Sequence, residues 1–234
     1  MLRAVVFDMD GVIVDSHAIH KQAWRRLLEL RGKSVTEDEL EFVVDGRTRI
    51  DIVRHFLGDL PLPQLERYGQ QKDALFLACA DRLSLVPGLL SIVAELRAAG
   101  MKLAVATSAS RKRAEYILHR FALQDQFHAV VTGDDVKNGK PDPAVFQRAC
   151  LQVQGIPSTT LVIEDAVSGV QGAKLAGMKC LGIAGPARSN LLYSAGADWV
   201  QPDFTSVELS LLHTRFTPCS EAGTTSDSVP LTAV

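Results

Sequence analysis

Short apolar runs recur along the chain, and most of them are followed by a stretch with helical periodicity. The first run is Ala4-Val5-Val6-Phe7. Runs of this kind, with no alternation of polar residues, are typical of strands covered on both faces, as in a parallel sheet. Further runs lie near Leu103, Val130, Val162 and Leu181. Because strands and helices alternate from Leu85 onward, the pattern predicts right-handed crossovers and an α/β fold with a doubly wound, Rossmann-like parallel-sheet core.

The segment between the first strand and residue 84 has a different pattern. Apolar residues there repeat at helical spacing, with no strong strand signal, in the stretches 18–30, 37–44, 50–57 and 62–83. The sequence therefore predicts an all-helical cap domain inserted at residues 16–83, with hinges near Val14-Asp15 and near residues 85–88. Such a cap over the strand ends excludes water and can select a ligand.

The predicted core domain then consists of residues 1–15 and 84–213. Residues 214–234 are dominated by Ser, Thr, Gly, Pro and Ala, which predicts a disordered or loosely packed tail. A chain of 234 residues is long enough for one large core with an insertion.

Composition excludes several classes of partner. Lys and Arg total 25 and Asp and Glu total 27, so the net charge is −2 and no basic surface for nucleic acid is expected. No apolar stretch approaches membrane-spanning length, and the N-terminus enters a strand rather than a signal peptide. The four cysteines lack paired metal spacing and indicate reduced thiols, with Cys150 and Cys180 in the core. We therefore expect a cytoplasmic monomer that binds neither nucleic acid nor membrane.

Two carboxylates follow the first predicted strand. Asp8 and Asp10, with Gly11 behind them, lie at the carboxyl end of that strand, where parallel sheets have their ligand crevice. Residues two apart on a strand point the same way, and adjacent anions are unfavourable unless a cation or a shared proton compensates. The pair therefore indicates a metal ion, although such a motif alone is also common in turns.

Polar residues follow two further predicted strands. Thr107 and Ser108 precede a helical stretch, and their hydroxyls with the first helical N–H groups could hold a phosphate; a simple helix cap is the alternative. Glu164 and Asp165 form a second acidic pair, which could instead be acids in the first turn of a helix. Lys140 precedes a proline-rich turn and, alone, would be expected in solvent.

Four motifs in one order resemble those of the haloacid dehalogenase superfamily of phosphotransferases: Asp8-Met9-Asp10-Gly11, Thr107, Lys140-Pro141 and Glu164-Asp165. The motif-bearing core covers most of the chain. Within the superfamily the chain is most similar to β-phosphoglucomutase and to small sugar-phosphate phosphatases with a helical cap. Four motifs in order are far more specific than any one of them.

The resemblance implies phosphoryl transfer with Mg²⁺ as the cofactor. Asp8 would be the catalytic nucleophile and form an aspartyl phosphate, and the Asp10 side chain would act as general acid and base. The metal ligands would be Asp8, the backbone carbonyl of Asp10 and Asp165, with Glu164 close by through water. The core side chains expected to bind the phosphoryl group are Thr107, Ser108 and Lys140.

The predicted cap contributes three candidate substrate-binding residues. His20 and Trp24 are four residues apart and so share one face of the first cap helix. Arg49 follows Gly46 and offers a guanidinium group suited to phosphate. In β-phosphoglucomutase-like proteins a His and a Trp at this spacing, and an Arg after a Gly, face the active site. For Trp24 the alternative is packing within the cap, and Arg47 is expected in solvent.

The residues around Gly46 depart from the mutase pattern. Asp45 stands where mutases carry a Lys, and Arg47 where they carry a small or aliphatic residue. A mutase also needs a second phosphate site, for which Arg49 and Lys72 are candidates. These departures favour a phosphatase without excluding a mutase.

We therefore expect a Mg²⁺-dependent phosphatase that hydrolyses a small phosphorylated metabolite, a hexose phosphate, through an aspartyl phosphate. The alternative is a β-phosphoglucomutase that interconverts glucose 1-phosphate and glucose 6-phosphate. A non-catalytic binding protein would not need all four motifs, and a haloalkanoic acid dehalogenase would need neither the metal-binding acids nor Asp10.

Overall fold

A computed structural model describes residues 1–216 of the chain. Its strands are β1 (Ala4–Phe7), β2 (Val14–Asp15), β3 (Ser84–Leu85), β4 (Lys102–Ala106), β5 (Ala129–Val131), β6 (Thr160–Glu164), β7 (Lys179–Ile183) and β8 (Trp199–Gln201). Six of them form a parallel sheet in the order β5-β4-β1-β6-β7-β8. The doubly wound parallel-sheet core predicted from the apolar runs is thus confirmed. The chain winds outward in both directions from β1, which creates the crevice that such sheets use for ligands.

Helices cover both faces of this sheet and fill the insertion. They are α1 (His17–Glu29), α2 (Glu37–Leu40), α3 (Arg49–Leu57), α4 (Leu62–Leu77), α5 (Leu89–Ala98), α6 (Arg111–Arg120), α7 (Ala144–Gln152), α8 (Val167–Leu175), α9 (Pro186–Ala195) and α10 (Leu209–Arg215). Alternate residues of β1 face opposite layers, as the twofold periodicity of a strand requires. Val5 and Phe7 belong to one apolar cluster and Ala4 and Val6 to the other.

The segment between β2 and β3 holds α1 to α4 and has an apolar cluster of its own, which includes Trp24, Phe56 and Leu65. The helix predicted at 62–83 is shorter, because it ends at Leu77 and a 3₁₀ turn, Ala80–Arg82, follows. The stretch 37–44 is likewise divided into α2 and a 3₁₀ turn.

The two crossings into and out of this helical segment lie side by side. β2 and β3 form a two-residue antiparallel ladder in which Val14 pairs with Leu85 and Asp15 with Ser84. The sequence predicted hinges at both places but gave no sign that they pair. A short paired hinge keeps the helical segment attached at one edge, above the carboxyl end of β1.

The end of the described chain packs against the core. The tail predicted from residue 214 begins inside α10, and Phe216 is buried. Residues 217–234 lie outside the described residues. Within residues 1–216, no helix combines the length and the apolar character that crossing a bilayer requires.

Candidate active site

The predicted motif residues meet at the carboxyl edge of the central strands. Asp8 follows β1, Thr107 follows β4, and Glu164 ends β6, and these three strands are neighbours in the sheet. Lys140 reaches the same edge from the loop before α7. All four side chains are buried, so their charges interact in surroundings poor in water.

Lys140 joins two of these acids. Its Nζ lies 2.5 Å from Asp8 Oδ1 and 2.5 Å from Glu164 Oε1. Burial would lower the pKa of Lys140, but the carboxylates of Asp8 and Glu164 outweigh burial and raise it. The ammonium group therefore stays charged and can neutralise an anion that approaches Asp8.

Both carboxylate oxygens of Glu164 accept hydrogen bonds from groups within the protein. Besides Lys140, its carboxylate accepts hydrogen bonds from the backbone N–H of Asp165 at 2.7 Å and of Ala166 at 2.8 Å. A Cβ on Gly169 would lie 1.8 Å from Glu164 Oε1, so only glycine lets α8 pass this carboxylate. Glu164, which was expected to lie near a metal through water, thus holds Lys140 and the turn after β6.

Asp8 lies where negative charge accumulates. Burial, followed by the carboxylates of Glu164, Asp165 and Asp10, raises the pKa of Asp8 well above its ordinary value, although Lys140 opposes the shift. Ionised Asp8 therefore lacks compensating positive charge beyond Lys140. A cation bound beside it would relieve this.

Asp165 offers an unsatisfied oxygen at the same place. Its Oδ2 is buried and accepts no well-directed hydrogen bond, although His17 Nε2 is 2.7 Å away. A Cβ on Gly11, which has a φ of +79°, would lie 2.3 Å from this oxygen, so the chain needs glycine to turn there. His17 was not predicted from the sequence. Its position at the first residue of α1, just after the hinge, was the available signal.

Asp10 is held by several hydrogen bonds. Ser16 Oγ donates to its Oδ1 at 2.8 Å, Arg113 Nη1 donates to its Oδ2 at 2.8 Å, and His20 Nε2 lies 2.9 Å from Oδ1. Burial would raise the pKa of Asp10, but Arg113 and then His20 outweigh burial and lower it well below its ordinary value. Arg113 was not predicted.

His20 connects Asp10 to the helical cap segment. Its Nδ1 lies 2.8 Å from Lys72 Nζ, and its Nε2 lies 2.9 Å from both Asp10 Oδ1 and Arg113 Nη1. Burial, followed by the charge of Lys72, lowers the pKa of His20 to about 3. Burial also lowers the pKa of Lys72 to about 7. Trp24 has Lys72 Nζ 5.5 Å from its ring and is fully buried.

Hydroxyl groups also tie the cap segment to the core. Ser108 Oγ donates to the backbone carbonyl of Gly46 at 2.6 Å, and Ser168 Oγ donates to that of Asp45. The Ser108 hydroxyl, expected to bind phosphate, thus contacts the cap backbone. Thr107 Oγ1 accepts from the backbone N–H of Ala109 at 3.1 Å.

Most of the predicted site residues surround one pocket between the cap segment and the core. Those that line it are Asp8, Asp10, His20, Trp24, Arg49, Thr107, Ser108 and Asp165. Lys140 lines an adjoining cleft, and Glu164 lies behind Lys140. Three further polar lining residues, His17, Asp73 and Arg113, were not predicted from the sequence. Arg47, which was expected in solvent, lines the pocket as well.

Comparisons with known proteins support the family and the fold. The model of the haloacid dehalogenase-like hydrolase family matches residues 5–183. A phosphorylated carbohydrates phosphatase of Thermotoga maritima is 34% identical over 182 residues, which cover 76% of this chain and 83% of that protein. A β-phosphoglucomutase of Bacillus subtilis is 29% identical over 225 residues, which cover 91% and 94%. The crystal structure of a β-phosphoglucomutase from Clostridium difficile superposes with a TM-score of 0.83 at 21% identity, over 92% of this chain and 97% of that one, and so supports the fold.

Proposed function

Because the chain belongs to the haloacid dehalogenase-like hydrolase family and is a phosphoric monoester hydrolase, we propose that it hydrolyses a small phosphorylated sugar, a hexose phosphate, through a phosphorylated Asp8. The similar phosphatase of Thermotoga maritima is named for phosphorylated carbohydrates, which supports this class of substrate. The cytoplasmic location and the monomeric state stay predictions.

One arrangement supports this mechanism above all: buried Asp8 lies against Lys140, with Asp10 two residues further along the chain. Asp8 would attack the phosphorus while the bond from phosphorus to the sugar oxygen breaks. Lys140 would offset the charge of the phosphoryl group during this step, because phosphoryl transfer depends mainly on positioning and charge neutralisation.

Asp10 would act as general acid in the first step and as general base in the second. The leaving sugar oxygen takes a proton from Asp10, and the attacking water later returns one to it as inorganic phosphate and free Asp8 form. Arg113 and His20 keep Asp10 ionised in the ligand-free arrangement, which is the form that the water step requires. A phosphate beside it adds negative charge, which raises a carboxyl pKa and favours the protonated form for the first step.

The residues present fit Mg²⁺. The buried Asp165 Oδ2 has no well-directed hydrogen bond. The negative charge of ionised Asp8 is only partly compensated by Lys140. Among the described residues, no three His, Cys, Asp or Glu side chains form a ready-made cage, and Mg²⁺ characteristically takes one or two carboxylates and keeps several waters. Asp8, the Asp10 carbonyl and Asp165 would hold the ion, which when bound neutralises charge between carboxylate and phosphate.

We also propose that residues 16–83 act as the cap over this site, within the domain bounds given above. His20, Trp24 and Arg49 would contact the part of the substrate beyond the phosphate. The Ser108 and Ser168 hydroxyls, which bond to the backbone at Gly46 and Asp45, would hold the cap in its closed position.

A β-phosphoglucomutase remains the second candidate, because a mutase of Bacillus subtilis matches 91% of the chain. In that case the phosphoryl group on Asp8 would return to a sugar hydroxyl instead of passing to water.

Phosphate release from glucose 1-phosphate and glucose 6-phosphate, with and without glucose 1,6-bisphosphate, separates the two functions. We expect one phosphate for each ester consumed and no isomerisation. The Asp8→Asn variant should release none. Asp125→Asn changes an exposed acid that does not line the pocket and should match the unaltered protein. Isomerisation without net phosphate release would contradict the phosphatase. A wider panel of sugar phosphates then identifies the substrate.

A further inference from the structure

A carboxylate from the cap lies among the cations of the pocket. Asp73 is on α4, its side chain is only 13% exposed, and Ser110 Oγ donates to its Oδ2 at 2.7 Å. Three cationic atoms surround the same carboxylate. Arg113 Nε is 3.7 Å from Oδ1, Lys72 Nζ is 3.8 Å from Oδ1, and Arg49 Nη1 is 3.8 Å from Oδ2.

One hydroxyl and three cations make the kind of donor set that binds a phosphate. In this chain the carboxylate of Asp73 occupies that position instead. Burial would raise the pKa of Asp73, but Arg113, Lys72 and the hydrogen bond from Ser110 outweigh burial and lower it. Asp73 is therefore ionised, and its charge is a fixed property of the pocket.

Other carboxylates complete the neutralisation of these cations. Arg49 Nη2 lies 3.0 Å from Asp134 Oδ1, and Arg113 Nη1 also contacts Asp10. The cations are thus Arg49, Lys72 and Arg113, and the carboxylates are Asp10, Asp73 and Asp134. These three cations therefore offer little uncompensated positive charge to a second phosphate, which carries about −1.5 to −2 at neutral pH.

We propose that Asp73 is a specificity-determining residue: it excludes a second phosphate and restricts the pocket to monophosphates whose remaining part is uncharged and bears hydroxyl groups. This inference rests on the proposed function and decides between its two candidates. A mutase must bind a sugar bisphosphate, and an ionised carboxylate at the second phosphate position opposes that binding. The Arg49 and Lys72 side chains, which were candidates for binding a second phosphate, form ion pairs with Asp73 instead.

Binding without turnover tests the proposal. In the Asp8→Asn background with Mg²⁺, calorimetric titration compares glucose 6-phosphate with glucose 1,6-bisphosphate and fructose 6-phosphate with fructose 1,6-bisphosphate. We expect each bisphosphate to bind at least about tenfold more weakly than its monophosphate, because like charges at close range disfavour binding. Equal or tighter binding of the bisphosphates overturns the proposal, and so does an absence of binding by every member of both pairs.

A second arm changes Asp73 itself. Asp73→Asn in the same background keeps the shape and removes the charge, so it should raise bisphosphate affinity relative to monophosphate by about tenfold or more. Glu66→Gln, on an exposed face of the same helix, is the matched control and should leave the ratio unchanged. An unchanged ratio in a folded Asp73→Asn protein contradicts the proposal; if that variant does not fold, Asp73→Ser is used.

Failure of the proposed function gives a different result. It would appear as no phosphate release by the protein with Asp8 intact, across the sugar phosphate panel. Failure of this inference appears as equal or tighter binding of the bisphosphates in the titrations, whatever the turnover.

Discussion

Arg113 Nη1 lies 2.8 Å from Oδ2 and 3.0 Å from Oδ1 of Asp10, so a cation from the first turn of α6 holds the second carboxylate after β1. A helix N-terminus carries partial positive charge and disfavours cations, and α6 nevertheless begins with Arg111, Lys112 and Arg113. Arg113 is buried there because Asp10 and Asp73 supply the opposite charge.

Replacement of Arg113 by Met should move the acidic limb of the pH profile of phosphate release to higher pH. Arg113 lowers the pKa of Asp10. Without it that pKa rises, so a higher pH is needed to ionise Asp10 for the water step. Breaking a buried ion pair should also lower the free energy of unfolding by about 3 kcal/mol. A pH–rate profile and urea unfolding measure the two effects.

Arg113→Lys should shift the acidic limb less, and lower the free energy of unfolding less, than Arg113→Met does, because it keeps the charge without the planar guanidinium. Arg120→Met, at the exposed end of the same helix, is the control and should leave the acidic limb in place. If the acidic limb did not move in Arg113→Met, Arg113 would have no part in setting the protonation of Asp10.

The residues that the sequence identified differ in kind from those that it missed. Asp8, Lys140 and Glu164 stand in short motifs at the ends of apolar runs, and the topology of a parallel sheet brings such ends together. Arg113 and Asp73 stand on helices among other charged residues, and their partners are distant in sequence. Nothing local distinguishes them from solvated charges, so only the packing of α4 against α6 reveals their burial.

The same reasoning explains which parts of the fold were predicted. β1 has the predicted bounds, and β4 lies at the apolar run near Leu103, because unbroken apolar runs are a strong local signal. The pairing of β2 with β3 joins residues about seventy positions apart, with two residues on each side. β8, Trp199–Gln201, has only three residues. Elements this short are stabilised by tertiary contacts that no local pattern records.

Removal of the Asp8 charge should change how the protein responds to Mg²⁺. The pKa of Asp8 is raised in the folded state, so its ionised form destabilises the fold at neutral pH when no metal is bound. Asp8→Asn in EDTA should therefore unfold at the same temperature as the unaltered protein or a higher one. Mg²⁺ at about 100 times its dissociation constant should stabilise the unaltered protein by about 2.7 kcal/mol and the variant much less.

Thermal unfolding with and without Mg²⁺ measures this difference, and Asp125→Asn is the exposed control. An equal stabilisation of Asp8→Asn and the unaltered protein by Mg²⁺ would show that the ion binds elsewhere.

Gly169→Ala should disturb the site through Glu164. The added Cβ would lie 1.8 Å from Glu164 Oε1, so the carboxylate must move and Lys140 loses one of its two carboxylate partners. Overpacking of this kind costs about 2 kcal/mol, and phosphate release should fall by tenfold or more. Gly185→Ala is the matched control, because nothing lies within 4 Å of a Cβ there and its φ is −65°. Normal turnover by Gly169→Ala would mean that Lys140 does not depend on Glu164 for its position.

Lys72→Met should stabilise the protein near neutral pH, and the gain should shrink as the pH rises. Burial lowers the pKa of Lys72 from 10.5 to about 7 in the folded state. The folded state thus disfavours the charged amine, so the contribution of Lys72 to stability is most favourable above pH 10.5 and is lost as the pH falls to about 7. Met removes this dependence and fills the same space. Urea unfolding at pH 7, 8.5 and 10 should show the variant more stable by a few kcal/mol at pH 7, with the advantage decreasing toward pH 10. Lys112→Met, which replaces an exposed helical lysine, is the control and should show no such trend. If the difference in the free energy of unfolding between Lys72→Met and the unaltered protein were the same at all three pH values, Lys72 would keep an ordinary pKa in the folded protein.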